Sequence, residues 1–186
     1  MAKNESDYDS NFQISEASEI EFSEGNFIDY KYFDQQNKTV GYEFGFGLSY
    51  TTFEYGSNLT ISPDTEKLSE TYASGDLAVG GREDLWDVVA TVSTSVSNSG
   101  KAEGAEVAQL YVEFPAAADE PVRQLRGFQK VMIKPGQSEK VEFKLRRRDL
   151  SIWDVVKQEW AVVRGEYKMH VGASSRDLRV SGTMTV

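Results

Sequence analysis

Cysteine is absent from this sequence, and histidine occurs once. The first absence removes disulfide frameworks, thiolate metal sites and cysteine nucleophiles together, and it leaves the redox compartment open. The second rules out any pair of histidines on a metal and leaves a serine-histidine-acid triad a single possible base, His170. Long apolar runs are also missing. No stretch approaches the ~20 residues that a membrane-crossing helix needs, and the opening Met-Ala-Lys-Asn-Glu-Ser-Asp lacks the apolar core of a secretion signal. Positive charge is scarce, with 20 Lys and Arg against 30 Asp and Glu and a net charge of -10. Nucleic-acid affinity rests on cations that neutralise phosphates, so nucleic acid and membrane are not expected as partners, and no metal or cofactor is expected either.

What the chain does contain is enough for one domain with an extra tail: 186 residues, 39% of them hydrophobic. Its charge is uneven. Residues 1 to 36 hold nine acidic side chains against Lys3 and Lys31, a net of -7, which leaves about -3 for the other 150 residues. Residues 1 to 40 show neither a helical nor an alternating period but carry scattered aromatics, among them Phe12, Phe22, Phe27, Tyr30, Tyr32 and Phe33. They are expected to form an extended acidic arm that packs against this domain or a neighbour, because disordered tails are poor in aromatics.

From Tyr50 onward, short alternating runs are bounded by turn residues. Trp86, Val88, Ala90, Val92, Thr94 and Val96 fall on one face of a strand that ends at Asn98-Ser99-Gly100, and only Val89 spoils the alternation. Val107 to Val112 is apolar on both faces except for Gln109, which suits a central strand, and the run stops at Pro115. Leu125 to Ile133 is closed by Lys134-Pro135-Gly136-Gln137, and Val141, Phe143 and Leu145 alternate with charged residues. Glu159 to Val163, Tyr167 to Val171 and Leu178 to Val186 complete the set. The expected fold is all-β, an antiparallel sandwich of about seven to eight strands over residues 41–186, with one long, mobile loop at 63–84.

Tyr42-Glu43-Phe44-Gly45-Phe46-Gly47-Leu48-Ser49-Tyr50 resembles the segment leading into the last domain of family 3 glycoside hydrolases of the β-glucosidase type. Its residues also make physical sense alone: Gly45 and Gly47 allow positive φ or close approach, and Phe44, Phe46, Leu48 and Tyr50 alternate as anchors for a first strand and for docking. Glu106 to Val112, Gln124 to Phe128, Lys134-Pro135-Gly136, Arg147 to Asp154 and Gly165 to Gly172 resemble further family segments in the family's order. The resemblance implies an immunoglobulin-like, fibronectin type III-like fold, preceded by the tail of an α/β sandwich domain. It implies a piece from the C-terminal end of a longer, secreted fungal enzyme, with Met1 as an added start. It also implies that both catalytic carboxylates lie upstream, so no residue here inherits a catalytic role and the partners are the parent's catalytic domains. Whether that parent cleaves glucosides or xylosides stays open.

The remaining candidates have bland alternatives. Thirty carboxylates could supply the pair that glycoside hydrolysis needs, roughly 5 to 9.5 Å apart, but solvated or ion-paired carboxylates are the rule. His170 falls opposite Tyr167, Met169 and Val171 and is expected at the surface. Trp86, Trp153 and Trp160 could form a platform for cell-wall polymer, polysaccharide or lignin, or they could pack in the core or at a sheet edge. Arg148 and Asp149 are expected to brace the corner before Trp153, and Tyr167 to make a corner hydrogen bond to the backbone. Asn4, Asn37 and Asn58 head N-glycosylation triplets, which favour an extracellular parent.

Overall fold

The structure, a computed structural model, describes residues 22–186. The expectations for residues 1–21, the Asn4 triplet among them, lie outside the described residues.

Two four-stranded antiparallel sheets face each other. The first is built on β5 (Val88–Asn98), which pairs along one edge with both β1 (Phe53–Tyr55) and β2 (Thr60–Pro63) and along the other with β8 (Ser138–Arg146). The second runs β12 (Leu178–Thr185), β11 (Glu166–Gly172), β6 (Gly104–Glu113), β7 (Gln124–Ile133). The inward residues were legible as alternation: Val92 and Val96 from β5, Val141 and Leu145 from β8, and Leu110, Val112, Met169 and Val171 from the second sheet are all fully buried. Pro63 sits on an edge strand, where a missing N–H costs no ladder bond. Asn98, at the end of β5, is buried and satisfied. Its amide donates to the Ala102 and Ile133 carbonyls at 2.8 Å, and its oxygen accepts from Thr51 Oγ1 and Gly100 N.

Val89 is the extra residue of a β-bulge. Val88 pairs with Arg146 and Ala90 with Leu145, so Val89 faces no partner residue and turns into the core with no exposed surface. The bulge reverses the phase before it. Val88 points outward, and Trp86 is not a strand residue at all but ends a 3-10 turn, Glu83–Trp86, with 45% of its surface exposed.

Two small hairpins lie outside the main sheets. Glu159 to Val163, expected as a sandwich strand, instead forms β10 (Glu159–Val162), paired with β9 (Ser151–Asp154). The long loop carries its own hairpin, β3 (Leu77–Ala78) with β4 (Gly81–Arg82). That loop is not the free segment expected. Arg147, almost wholly buried, donates to the Glu70 and Lys67 carbonyls and pairs with Asp84 at 3.5 Å. Arg164 donates to the Leu68 and Ser69 carbonyls, and Leu68 is inserted into the core. Guanidinium N–H groups thus satisfy carbonyls that no ladder reaches.

The corner is braced as anticipated for Asp149, whose carboxylate accepts from Arg146 N at 2.8 Å and whose carbonyl accepts from Arg126 Nε at 2.8 Å. Tyr167 Oη lies 2.9 Å from both the Leu150 and Val163 carbonyls, and burial pushes its phenol well above the usual range. Tyr167→Phe leaves those acceptors without their donor inside the core. It is expected to cost about 1 to 2 kcal/mol in urea unfolding with an unchanged strand signal in circular dichroism.

Candidate functional site

The outer face of the second sheet is where the arm goes. Residues 22–50 fold back on it, and the arm is not uniformly extended: Tyr30–Gln35 form a short helix, α1. Asn37 ends it in the left-handed conformation (φ 49°), with Lys38 N donating to Phe33 O at 2.9 Å, the closing bond of a Schellman turn. Phe33 is buried, and Tyr30 stacks on Phe44 at 4.4 Å and meets Tyr111 edge-on at 6.4 Å. The Leu125 N–H donates to Tyr30 Oη at 3.1 Å. Asp34, buried, accepts from Arg176 Nε at 2.8 Å and faces Arg123 Nε at 3.9 Å. An ion pair held in so little water sets the register of the helix on the sheet.

Gln109 is the polar centre of this face. Its amide nitrogen donates to Gly45 O at 3.0 Å and Ala173 O at 2.6 Å, and its oxygen accepts from Tyr111 Oη at 2.6 Å. Gly45 has φ 82°, and a Cβ there would overlap the Gln109 carboxamide. Gly47 needs neither positive φ nor close approach, contrary to the sequence expectation.

The four docking candidates separate. Phe44 packs inward under Tyr30. Phe46, Leu48 and Tyr50 are exposed, Leu48 by 91% and Tyr50 completely. They do not alternate along a first strand, because residues 44–50 have no ladder partner and pairing starts only at Phe53. With Val107 and Phe128 of the sheet, Phe46 and Leu48 line a cleft of about 390 Å³, and Met132 is exposed on the same side of β7 beyond Lys130.

The tryptophans sit at the hairpins and in no core. Trp153 and Trp160 are cross-strand partners in edge-to-face contact at 5.2 Å, with the Arg148 guanidinium 3.4 Å over the Trp160 ring. Arg148 therefore braces this hairpin. Trp86 stands apart beside Gly80, with Arg146 over it at 6.0 Å, so the three rings make no flat row.

His170 is mostly buried rather than at the surface. Its Nε2 lies 2.8 Å from Glu113 Oε1 and its Nδ1 lies 2.7 Å from Ser181 Oγ, across three neighbouring strands. A carboxylate only accepts, so Nε2 donates and Nδ1 accepts from the serine. These serine, histidine and glutamate side chains line neither the cleft at Phe46 nor the one at Trp153, and the row of bonds reads as a strand tie. Asn37 and Asn58, heads of the two described triplets, are exposed. No group of three or more acidic or histidine ligands suited to a metal occurs among the described residues.

Comparison with known proteins places the architecture. Residues 106–175 match the fibronectin type III-like domain family. The sandwich is of the fibronectin type III-like kind. The whole chain is 54% identical to probable β-glucosidase D of Aspergillus niger, of which it spans 24%. It is 47% identical to the β-D-glucoside glucohydrolase of Trichoderma reesei, with a TM-score of 0.90 over 100% of this chain and 26% of that one. A family 3 β-glucosidase of Neurospora crassa gives a TM-score of 0.75 at 30% identity, over 89% of this chain and 28% of that structure. The chain thus spans about a quarter of the length of the relatives it matches.

The sequence pattern pointed to the arm's aromatics, Tyr30 and Phe33 among them, as packing residues, but gave no sign that Asp34 and Tyr111 are the arm's other contacts. The lone Gln109 in an apolar strand was the available signal. Gly45→Ala is expected to destabilise by about 2 kcal/mol or more and to open the arm. Urea unfolding and limited proteolysis between residues 22 and 50 read both effects.

Burial holds the His170 imidazole below its usual pKa, outweighing the nearby Glu113 carboxylate. The unfolded chain therefore binds the proton more readily, and the stability that the neutral ring supplies is present above about pH 6.5 and declines as the pH falls below it. Urea midpoints measured from pH 7.5 to 5 should drop more steeply for the native chain than for His170→Gln. Parallel curves would contradict this.

Proposed function

We propose that this chain is the non-catalytic C-terminal module of a secreted family 3 β-glucosidase, which releases terminal β-D-glucosyl residues during cellulose and polysaccharide breakdown. Its role is to dock onto the catalytic domains and stabilise them. The match to the fibronectin type III-like family and the alignment of the whole chain with only about a quarter of a probable β-glucosidase support this reading. Two exposed glycosylation triplets, at Asn37 and Asn58, fit a parent that passes through the secretory route.

The observation that carries the docking role is the strip Phe46, Leu48, Tyr50, continued by Phe128 and Met132. These large apolar side chains are turned away from a sandwich whose own core is complete without them. Several large apolar side chains exposed on one side of a domain, as here, are a mark of an interface. The arm fixes its position: Phe44 is pinned beneath Tyr30, and the next residues project from that anchor.

The test contrasts the domain alone with the domain in its parent. Leu48→Ser together with Tyr50→Ser should move the unfolding free energy of the isolated chain by no more than about 0.5 kcal/mol, because neither side chain packs within it. The same pair in the full β-glucosidase should lower the melting temperature by several degrees and shorten the half-life of activity on an aryl β-glucoside. Equal melting of variant and native full-length enzymes would remove the docking role.

A further inference from the structure

A second cleft, of about 480 Å³, lies at the other side of the molecule between the β3–β4 and β9–β10 hairpins. One wall is Leu77, Gly81 and Arg82. The other is Trp153, Glu159 and Trp160, with Gln158 at the turn. Its size falls within the range of small-molecule sites.

The cleft is built, not incidental. The two hairpins are tied across it by Arg82, whose Nη2 donates to Glu159 Oε1 at 2.9 Å while Nη1 donates to Gly75 O at 3.1 Å. Ala73 N donates to Trp160 O at 3.3 Å, and Tyr72 Oη donates to Asp154 Oδ2 at 2.8 Å, so the loop and β10 move as one. Arg148 clamps one face of Trp160, and Trp160 in turn holds Trp153 edge-to-face. Trp153 itself keeps 42% of its surface exposed. Gly80 and Gly81, both at positive φ, turn the tip of the β3–β4 hairpin without adding side chains to the cleft.

The chemistry selects among ligands. The only cation in the cleft wall, Arg82, is already neutralised by Glu159, so a phosphate or sulfate gains little there. The cleft is open and carries a guanidinium, a carboxylate and an amide, which disfavours a lipid chain. An exposed indole beside three planar polar groups suits a ligand that is apolar on one side and ringed by hydroxyls. A pyranose with equatorial hydroxyls has that form, since its axial C–H bonds make a flat apolar face while its rim donates and accepts hydrogen bonds. We propose that this cleft binds a β-linked gluco- or xylo-configured oligosaccharide, with Trp153 as the stacking surface and Arg82, Gln158 and Glu159 on the hydroxyls. The proposal is independent of the docking role, since none of these residues lies on the Phe46–Met132 face.

Cellotetraose and xylotetraose titrated into the 186-residue chain, followed by tryptophan fluorescence and calorimetry, test it. Saturable binding of either sugar with a Kd of about 1 mM or tighter is expected. Trp153→Ala should weaken it at least tenfold, Trp153→Phe should retain most of it, and Glu159→Gln should weaken it severalfold. Leu48→Ser, on the other cleft, should leave it intact. No saturable response to either sugar at about ten times that concentration overturns the proposal. So does equal binding by Trp153→Ala, and so does binding of coniferyl alcohol with neither sugar bound.

Discussion

The carboxamide of Gln109 must be satisfied on the outer face of an otherwise apolar strand, and the organisation of the functional surface follows from that constraint. The central position of β6 puts Leu110 and Val112 into the core, so Gln109 and Tyr111 necessarily point the other way. An unpaired amide buried there would cost on the order of 1 to 3 kcal/mol. Its partners come from outside the sheet: the Gly45 carbonyl of the arm, the Ala173 carbonyl of the β11–β12 turn and the Tyr111 hydroxyl. The arm is therefore part of the folded unit. Gly45 is where it turns, because only a residue without Cβ can sit against that amide at positive φ.

The two sheets consequently differ. On the first, the outer face is the polar alternation of Lys140, Glu142 and Lys144 with Ser95 and Ser97, and water covers it. On the second, both faces are apolar at β6, as in a buried sheet. The arm covers the part around Tyr111 through Tyr30, Phe33 and Phe44, but it runs out of contacts at Phe46. From there on, the partly exposed Val107 and Phe128 of the sheet share a cleft with the exposed Phe46 and Leu48. An apolar face half covered by its own chain is a surface suited to a partner.

The strands of the sandwich could be read from period-two alternation because Val141, Phe143 and Leu145 each bury a side chain between charged neighbours. Val89 broke that pattern and was itself informative: a bulge is the one regular way to insert a residue and keep both flanks paired. What was illegible depended on partners distant in sequence. Asp34 gains its meaning from Arg123 and Arg176, and Arg147 from carbonyls of residues 67 and 70. A carboxylate or guanidinium looks the same in sequence whether it is solvated or buried. Trp86 was misplaced for a related reason: a strand-like neighbourhood gives no sign that the pairing ends two residues away, at Val88.

The two ends of the molecule are held by different chemistry, and that separates what each can do. The arm face rests on aromatic stacking, the Gln109 network and one buried carboxylate, Asp34. The hairpin end rests on guanidinium groups, with Arg147 and Arg164 on loop carbonyls, Arg148 on Trp160 and Arg82 on Glu159. Arginine stays charged throughout the accessible pH range and its fork holds two acceptors at once. The hairpin cleft is thus rigid without needing a sheet beneath it. No ladder continues from β9 or β10 into either main sheet, so changes in that cleft need not disturb the strands beneath the exposed Phe46 and Leu48.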